Sequence, residues 1–284
     1  LAHIIFKSKF FSVYFGGFGT IFFIMKQFYP QNRTDLAAEL IKSKVTRLNE
    51  HVSRTDVDID EETSKKIGKP AGRYTTVLSD AVAKGEREYY DRIVSALTSA
   101  VKDYIGKTRV VMIVGLGNPG MTADALGASV VKRIRVTRNI ENSDNKGVCT
   151  LCPNVLGVTG IESYDIVKGA AERVRPDHIV VVDSLCAAAS ERLAAAFQIS
   201  DAGITPGSGV SNFRFRIDRE SMGCNVISVG VPLVVYARTL IKEAAGNAVD
   251  DGAELIVTPK DIDLIVEECA FIIASALNSA LSKA

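Results

Sequence analysis

Histidine is scarce in this chain. Only His3, His51 and His178 occur in 284 residues, which handicaps serine–histidine, cysteine–histidine and zinc-based chemistries before any motif is considered. Cysteine is sparse too, and its five copies are an odd number with no tight framework. That points to a reducing compartment rather than a disulfide-stapled secreted fold. An excess of one charge sign is also lacking. The formal net charge is +1, so no global attraction to nucleic acid or to an anionic membrane is expected. Repeats and low-complexity tracts are missing as well. What is present is 47% hydrophobic and 24% charged residues, enough to bury a sizeable core in one large domain or a domain with an extension.

Residues 1–24 stand apart. They carry Lys7 and Lys9, no acid and no proline, and Phe10 to Ile24 is almost wholly apolar. The run is short for a membrane span, and no small-residue cleavage site follows it. Residue 1 is leucine, the first methionine is Met25, and the composition turns polar after it. We expect residues 1–24 to be a mis-extended gene start, with a genuine apolar anchor as the alternative.

Along the rest of the chain, the spacing of apolar residues predicts a helix over 33–50. A charged loop or surface excursion is expected over about 51–72, where Gly68, Pro70 and Gly72 fall. Arg73 to Leu78 reads as a short strand and residues 86–105 as a helix. Then the pattern changes. Arg109 to Val114 is a β-branched run, apolar on both faces, as suits a strand buried in a parallel sheet. A glycine-rich turn and a helix around 122–135 follow. Further strands are expected at 178–182 and 226–231, with helices at 185–197 and 261–281. Strands alternating with helices imply a three-layer α/β/α sandwich with a mostly parallel central sheet.

Gly115-Leu116-Gly117-Asn118-Pro119-Gly120 formally matches the dinucleotide-binding fingerprint. That fingerprint also wants an acid after the next strand, whereas Arg133 to Asn139 is basic, and Pro119 removes one N–H from the loop. The string VGLGNPG also resembles the first motif of bacterial peptidyl-tRNA hydrolase, but the histidine that enzyme needs soon afterwards is missing between His51 and His178. The plain structural role of such a turn is close strand–helix packing through glycine.

Two acids follow the carboxyl ends of predicted strands. Asp124 lies just after the glycine turn and Asp183 ends the run HIVVVD. In an open parallel sheet that is the rim where ligands bind. Paired carboxylates there can share a proton, one activating water while the other polarises a peptide carbonyl. Each acid can equally be a helix cap.

Eight segments in order resemble the germination protease family, the spore endopeptidases that degrade small acid-soluble spore proteins. They are RTDLAAE at 33–39, GKPAGRYTT at 68–76, VGLGNPGMTADALG at 114–127, PNVLGVTGIES at 153–163, RPDHIVVVDSLCAA at 175–188, QISDAGITPGSGVSN at 198–212, VISVGVPLVV at 226–235 and IVTPKDIDLIVEECA at 256–270. The resemblance implies an aspartic-type endopeptidase with Asp124 and Asp183 as the catalytic pair and no cofactor or metal. It also implies a fold similar to hydrogenase-maturation endopeptidases, a homotetramer, and a place in the cytoplasm of the spore core, with neither nucleic acid nor membrane as a direct partner. The family is made as a zymogen that trims its own N-terminus. Its substrates are cut after the first glutamate of a Thr-Glu-(Ile/Phe)-Ala-Ser-Glu type of sequence, and Thr34-Asp35-Leu36-Ala37-Ala38-Glu39 looks like a copy of that site. Self-cleavage between Asp35 and Leu36 follows, leaving residues 25–35 as pro-segment and 36–284 as a single peptidase domain.

A pocket that takes an acid should offer a cation or several N–H donors. Arg214 matches a basic family position. The loop containing Gly207, Ser208 and Asn212 is a candidate source of backbone N–H groups, as are Gly117 and Asn118 in the first turn. The chain departs from the family at Ala123, Ser184, Ser211 and Tyr236, the last standing where the family has an aspartate. Cys149 and Cys152 form a C-x-x-C without the second pair that a zinc or redox role needs, so both are expected as small buried thiols. Cys186, Cys224 and Cys269 read as core, and His178 as structural. Three other readings stay open: a hydrogenase-maturation protease, a nucleotide- or tRNA-end-binding α/β protein, and an inactive family member acting as a scaffold.

Overall fold

The structure, a computed structural model, describes residues 4–7, 10–13, 22–23, 34–140, 146–206, 215–246 and 255–282. The chain divides into two units, Leu1–Asn32 and Arg33–Ala284. In the first, β1 (Ile4–Lys7), β2 (Phe10–Val13) and β3 (Phe22–Phe23) form a three-stranded antiparallel sheet.

The second unit is built on a nine-stranded sheet. Its strands are β4 (Val45–Arg47), β5 (Ser53–Ile59), β6 (Gly72–Leu78), β7 (Val110–Gly115), β8 (Gly147–Leu151), β9 (His178–Ala187), β10 (Ala196–Ser200), β11 (Asn225–Tyr236) and β12 (Ile256–Val257). The order across the sheet is β4-β5-β6-β10-β11-β9-β7-β8, with β12 beside the end of β11. The sheet is mixed and not mostly parallel as expected: only β11, β9, β7 and β8 run the same way. The other half is antiparallel, from β11 through β10 and β6 to β5 and β4.

The helices are α1 (Glu61–Ile67), α2 (Ala81–Lys84), α3 (Tyr90–Ile105), α4 (Leu126–Val131), α5 (Leu156–Thr159), α6 (Ser163–Val174), α7 (Arg219–Met222), α8 (Ala237–Ala245) and α9 (Ile262–Leu281). Side chains alternate across a strand, and the two faces of β7 and β9 show it. Val111, Ile113, Val180 and Val182 join the core under α3, α4 and α9, whereas Met112, Val114, Ile179 and Val181 pack against Val167 and Ala171 of α6. These are the three layers. α9 is long and apolar enough to cross a membrane. Here it contributes Cys269, Ile272, Ile273 and Leu277 to the larger core.

Several expectations are corrected. The predicted helix over 33–50 is a single 3-10 turn at Ala37–Glu39 followed by β4, because Leu36 and Ala37 enter different apolar clusters and not one helical face. The expected loop at 51–72 contains β5 and α1. β9 runs on to Ala187 where a helix was expected from 185, since Ser184 to Ala187 stay paired with Val231 to Val235 of β11. The remainder of 185–197 is a 3-10 turn at Ser190–Arg192 and the start of β10. Alanine's helical propensity yields here to tertiary pairing. The helix around 122–135 is confined to α4, after a 3-10 turn at Thr122–Asp124.

Candidate active site

The chain leaves β7 for β8 on one side, then crosses back to β9 on the other side of β7. Such a switch opens a crevice at the carboxyl ends of the strands, and the glycine turn lies there. Leu116 N–H donates to the Val182 carbonyl of β9 at 2.9 Å. Gly117 adopts φ +94°, and a Cβ on it would stand 2.0 Å from the Asp124 carbonyl oxygen and 2.8 Å from its Oδ1. Only glycine lets the loop pass so close to the carboxylate. A Cβ on Gly127 would likewise meet the Leu116 carbonyl oxygen at 2.4 Å. The glycines thus serve close packing. Asn118 N–H, a donor that a phosphate-binding loop would offer outward, donates instead to Asp124 Oδ2 at 2.7 Å. Asp124 is accordingly turned back toward the loop, and the residue that caps α4, Ala125, makes no side-chain bond to it.

Asp183 lies within β9, four residues before its end, and is only 7% exposed. Its Oδ1 accepts Ser184 N–H at 2.9 Å. Burial above all, then the Asp124 carboxylate and more weakly that of Asp35, hold its carboxyl well above the ordinary value of 3.8, against the opposing pull of the Ser184 N–H. Two acids on one rim, one of them buried and driven toward its neutral form, is the environment in which carboxylates split into acid and base.

The Asp35–Leu36 peptide is seated against the end of β9, just past Asp183. Asp35 N–H donates to the Cys186 carbonyl at 2.8 Å, and Cys186 N–H returns a bond to Asp35 Oδ2 at 2.8 Å. The segment therefore runs against the end of β9. Leu36 is 1% exposed and packs with Leu185 and Ala187, residues that alternate onto the face of β9 bearing Asp183. Ala37 is buried among Val57, Ile59, Tyr74 and Ala202. Glu39 closes the segment by accepting Ala188 N–H at 2.9 Å and Ala189 N–H at 3.0 Å, and it also accepts the Thr34 hydroxyl.

The peptide plane between Asp35 and Leu36 is held at both ends. Leu36 N–H donates to Thr34 Oγ1 at 2.9 Å. The Asp35 carbonyl oxygen accepts from Lys69 Nζ and from Gln198 Nε2, the latter at 2.8 Å. Lys69 follows Gly68, the left-handed C-cap of α1. Its loop is pinned by the Tyr74 hydroxyl donating to the Pro70 carbonyl at 2.7 Å. Burial lowers the Lys69 pKa from its ordinary value, and the charges of Asp35 and Glu39 oppose that shift. The Tyr74 ring lies 5.4 Å from its ammonium. Gln198 is buried in β10 and accepts Ala37 N–H on Oε1 at 2.8 Å. That acceptor bond fixes which end of the amide faces Asp35.

Sequence reasoning missed Lys69, Gln198 and Glu39. Lys69 meets the main-chain oxygen of Asp35, not the acid side chain for which Arg214 was expected. Arg214, Gly207, Ser208 and Asn212 lie outside the described residues. Gly117 and Asn118 frame Asp124, as given above. None of the five cysteines forms a disulfide; Cys186 and Cys269 are buried, Cys149 and Cys224 half-buried, and Cys152 is exposed, contrary to expectation, because it lies just beyond the end of β8. Among the described residues no three His, Cys, Asp or Glu side chains gather so as to hold a metal ion. His178 opens β9 at the opposite rim, with Nδ1 3.3 Å from Thr108 Oγ1. Tyr236 is buried with Arg238 stacked over its ring at 4.5 Å.

Comparison with known proteins gives this arrangement a family. The sequence profile described as germination protease matches residues 25–251. The chain belongs to the germination protease family. The germination protease of Clostridium perfringens is 34% identical over 307 aligned residues, covering 88% of this chain and 94% of that protein. That of Caldanaerobacter subterraneus is 34% identical, covering 78% and 82% respectively. That of Bacillus licheniformis is 31% identical, covering 79% and 82%. Among solved structures, a NiFe hydrogenase maturation protease from Thermococcus kodakarensis aligns with a TM-score of 0.39 at 18% identity, over 63% of this chain and 98% of that one. Membership makes the chain one of a family of peptidases.

Proposed function

We propose that this germination protease family member is an aspartic-type endopeptidase that cuts small acid-soluble spore proteins during germination. In this reading it works in the cytoplasm of the spore core as a homotetramer without a cofactor. It is made as a zymogen that cuts itself between Asp35 and Leu36. The observation that carries the reading is the seating of the Asp35–Leu36 peptide at the rim where Asp124 and the buried, neutral-leaning Asp183 meet.

The chemistry follows from the two environments. Asp124 takes a proton from a water molecule as the water oxygen adds to the Asp35 carbonyl carbon. Neutral Asp183 gives its proton to the Leu36 nitrogen as the C–N bond breaks. The products are a new carboxyl group on Asp35 and a new amino group on Leu36. A substrate protein presents its own acidic residue and the following apolar residue in the same place once residues up to Asp35 have left. Leu36 packs in an apolar recess and Asp35 binds a backbone N–H, which matches an acid followed by isoleucine or phenylalanine in the substrate.

The test is incubation of wild type, Asp124→Asn and Asp183→Asn with an acid-soluble spore protein, read by mass spectrometry of the fragments. Cleavage after the acidic residue by wild type alone is expected. Cleavage surviving either substitution would remove the paired-aspartate mechanism.

A further inference from the structure

We infer that Lys69 and Gln198 form the oxyanion-binding pair of this peptidase, two donors aimed at the carbonyl oxygen of the bond to be cut. The inference rests on the reading of Asp35–Leu36 as a scissile peptide, and it adds two catalytic residues to the aspartates.

Three bonds converge on one peptide plane from separate parts of the fold. Lys69 comes from the loop between α1 and β6, Gln198 from the centre of β10, and Thr34 from the segment itself. Gln198 also receives Ala37 N–H, so a single amide holds the chain on both sides of Leu36. It sits opposite Thr76 of β6 and Gly230 of β11, flanked on both edges of its strand, and cannot drift.

A lysine among acids has an obvious structural role as the partner of a carboxylate. Here the ammonium is placed on a main-chain oxygen, with the charges of Asp35 and Glu39 near it. An uncharged carbonyl gains little from a desolvated cation. An alkoxide gains much more, so the interaction grows as the carbon becomes tetrahedral. When water adds, the carbonyl π pair moves onto the Asp35 oxygen, and Lys69 and Gln198 take up the charge. When the C–N bond breaks, the pair returns and the carbonyl reforms. Polarisation by this pair leaves the Asp183 proton for the leaving nitrogen.

The experiment uses the full chain and reads the first-order loss of residues up to Asp35 by intact mass. Lys69→Met and Gln198→Glu are each expected to slow self-cleavage by about 10²–10³-fold, the effect of removing one oxyanion donor. Gln198→Glu keeps an acceptor for Ala37 N–H while losing the donor. Lys69→Arg should recover most of the rate. Hydrogen exchange at the Leu36 and Ala37 amides, measured with and without Lys69→Met in a chain inactivated by Asp183→Asn, separates catalysis from docking. Unchanged protection with a slowed cut supports the pair. Lost protection would make Lys69 an anchor only and overturn the inference. So would wild-type rates in both variants, which would leave the scissile bond itself intact as a reading. A wild-type chain that cuts elsewhere, or not at all, would sink the scissile-bond reading and the pair with it.

Discussion

Glu39 is the outer fastening of the processing segment, and its removal has a calculable effect. Its carboxylate accepts two backbone N–H groups, from Ala188 at 2.9 Å and Ala189 at 3.0 Å, beyond the end of β9. Hydrogen bonds to a charged acceptor are worth about 1.5–3 kcal/mol each, and the half-buried setting argues for the lower figure. Glu39→Ala should therefore weaken docking of the segment by about 3 kcal/mol. At 1.4 kcal/mol per factor of ten, self-cleavage should slow by up to about 10²-fold. Glu39→Gln keeps one oxygen acceptor and should lose about ten-fold. The assay is the first-order appearance of a chain beginning at Leu36, followed by intact mass at several protein concentrations. The rate should be independent of concentration, because the segment lies against its own β9. Glu39→Ala cutting as fast as wild type would refute the idea that this carboxylate holds the segment in place.

Asp183 sets a pH dependence of known sign. Its folded pKa is raised, so self-cleavage that uses the neutral acid should fall as pH rises through that value. The raised pKa also means that stability present at low pH is lost as pH rises through it. Asp183→Asn should then melt higher than wild type at neutral pH, with the gain vanishing toward the ordinary value of 3.8, and should not cleave. Gly117→Ala forces a Cβ to within 2.0 Å of the Asp124 carbonyl oxygen; displacing the carboxylate by about 1 Å should cost about 10²-fold in cleavage, read beside a melting scan. At the opposite rim, Asp177 accepts N–H bonds from Arg109 at 2.8 Å and Val110 at 2.9 Å, which lower its pKa. Asp177→Ala should lose about 2 kcal/mol, lowering the melting midpoint by about 4–8 °C while leaving the chemistry unchanged.

The parallel half of the sheet was legible because its strands are buried on both faces. Val110–Gly115 and Ile179–Val182 are continuous apolar runs, and α3 and α9 keep helical spacing over four turns or more. The antiparallel half was not. In β5 the alternation exists, with Thr55, Val57 and Ile59 buried, but Asp56 and Asp58 between them gave the stretch the look of a charged loop. The alanines around 187–196 misled in the other direction, since their propensity favours a helix while pairing with β11 imposes a strand. The RTDLAAE segment imitated helical spacing for a different reason: Leu36 and Ala37 fill two separate recesses of the domain. Of the candidate site, the place of the two aspartates on one rim was readable from their position after β-branched runs. Lys69 and Gln198 were not, because no local pattern announces that two positions so far apart in sequence meet on the Asp35 carbonyl oxygen.

The most direct test is the N-terminus that the full chain makes for itself. Wild type, Asp124→Asn and Asp183→Asn are incubated separately and their masses followed. Loss of residues up to Asp35 in wild type only, leaving Leu36 as the new N-terminus, is the predicted result. Processing at another bond, or processing at Asp35–Leu36 that persists in Asp183→Asn, would contradict a reaction run by two aspartates on a peptide already seated against the end of β9.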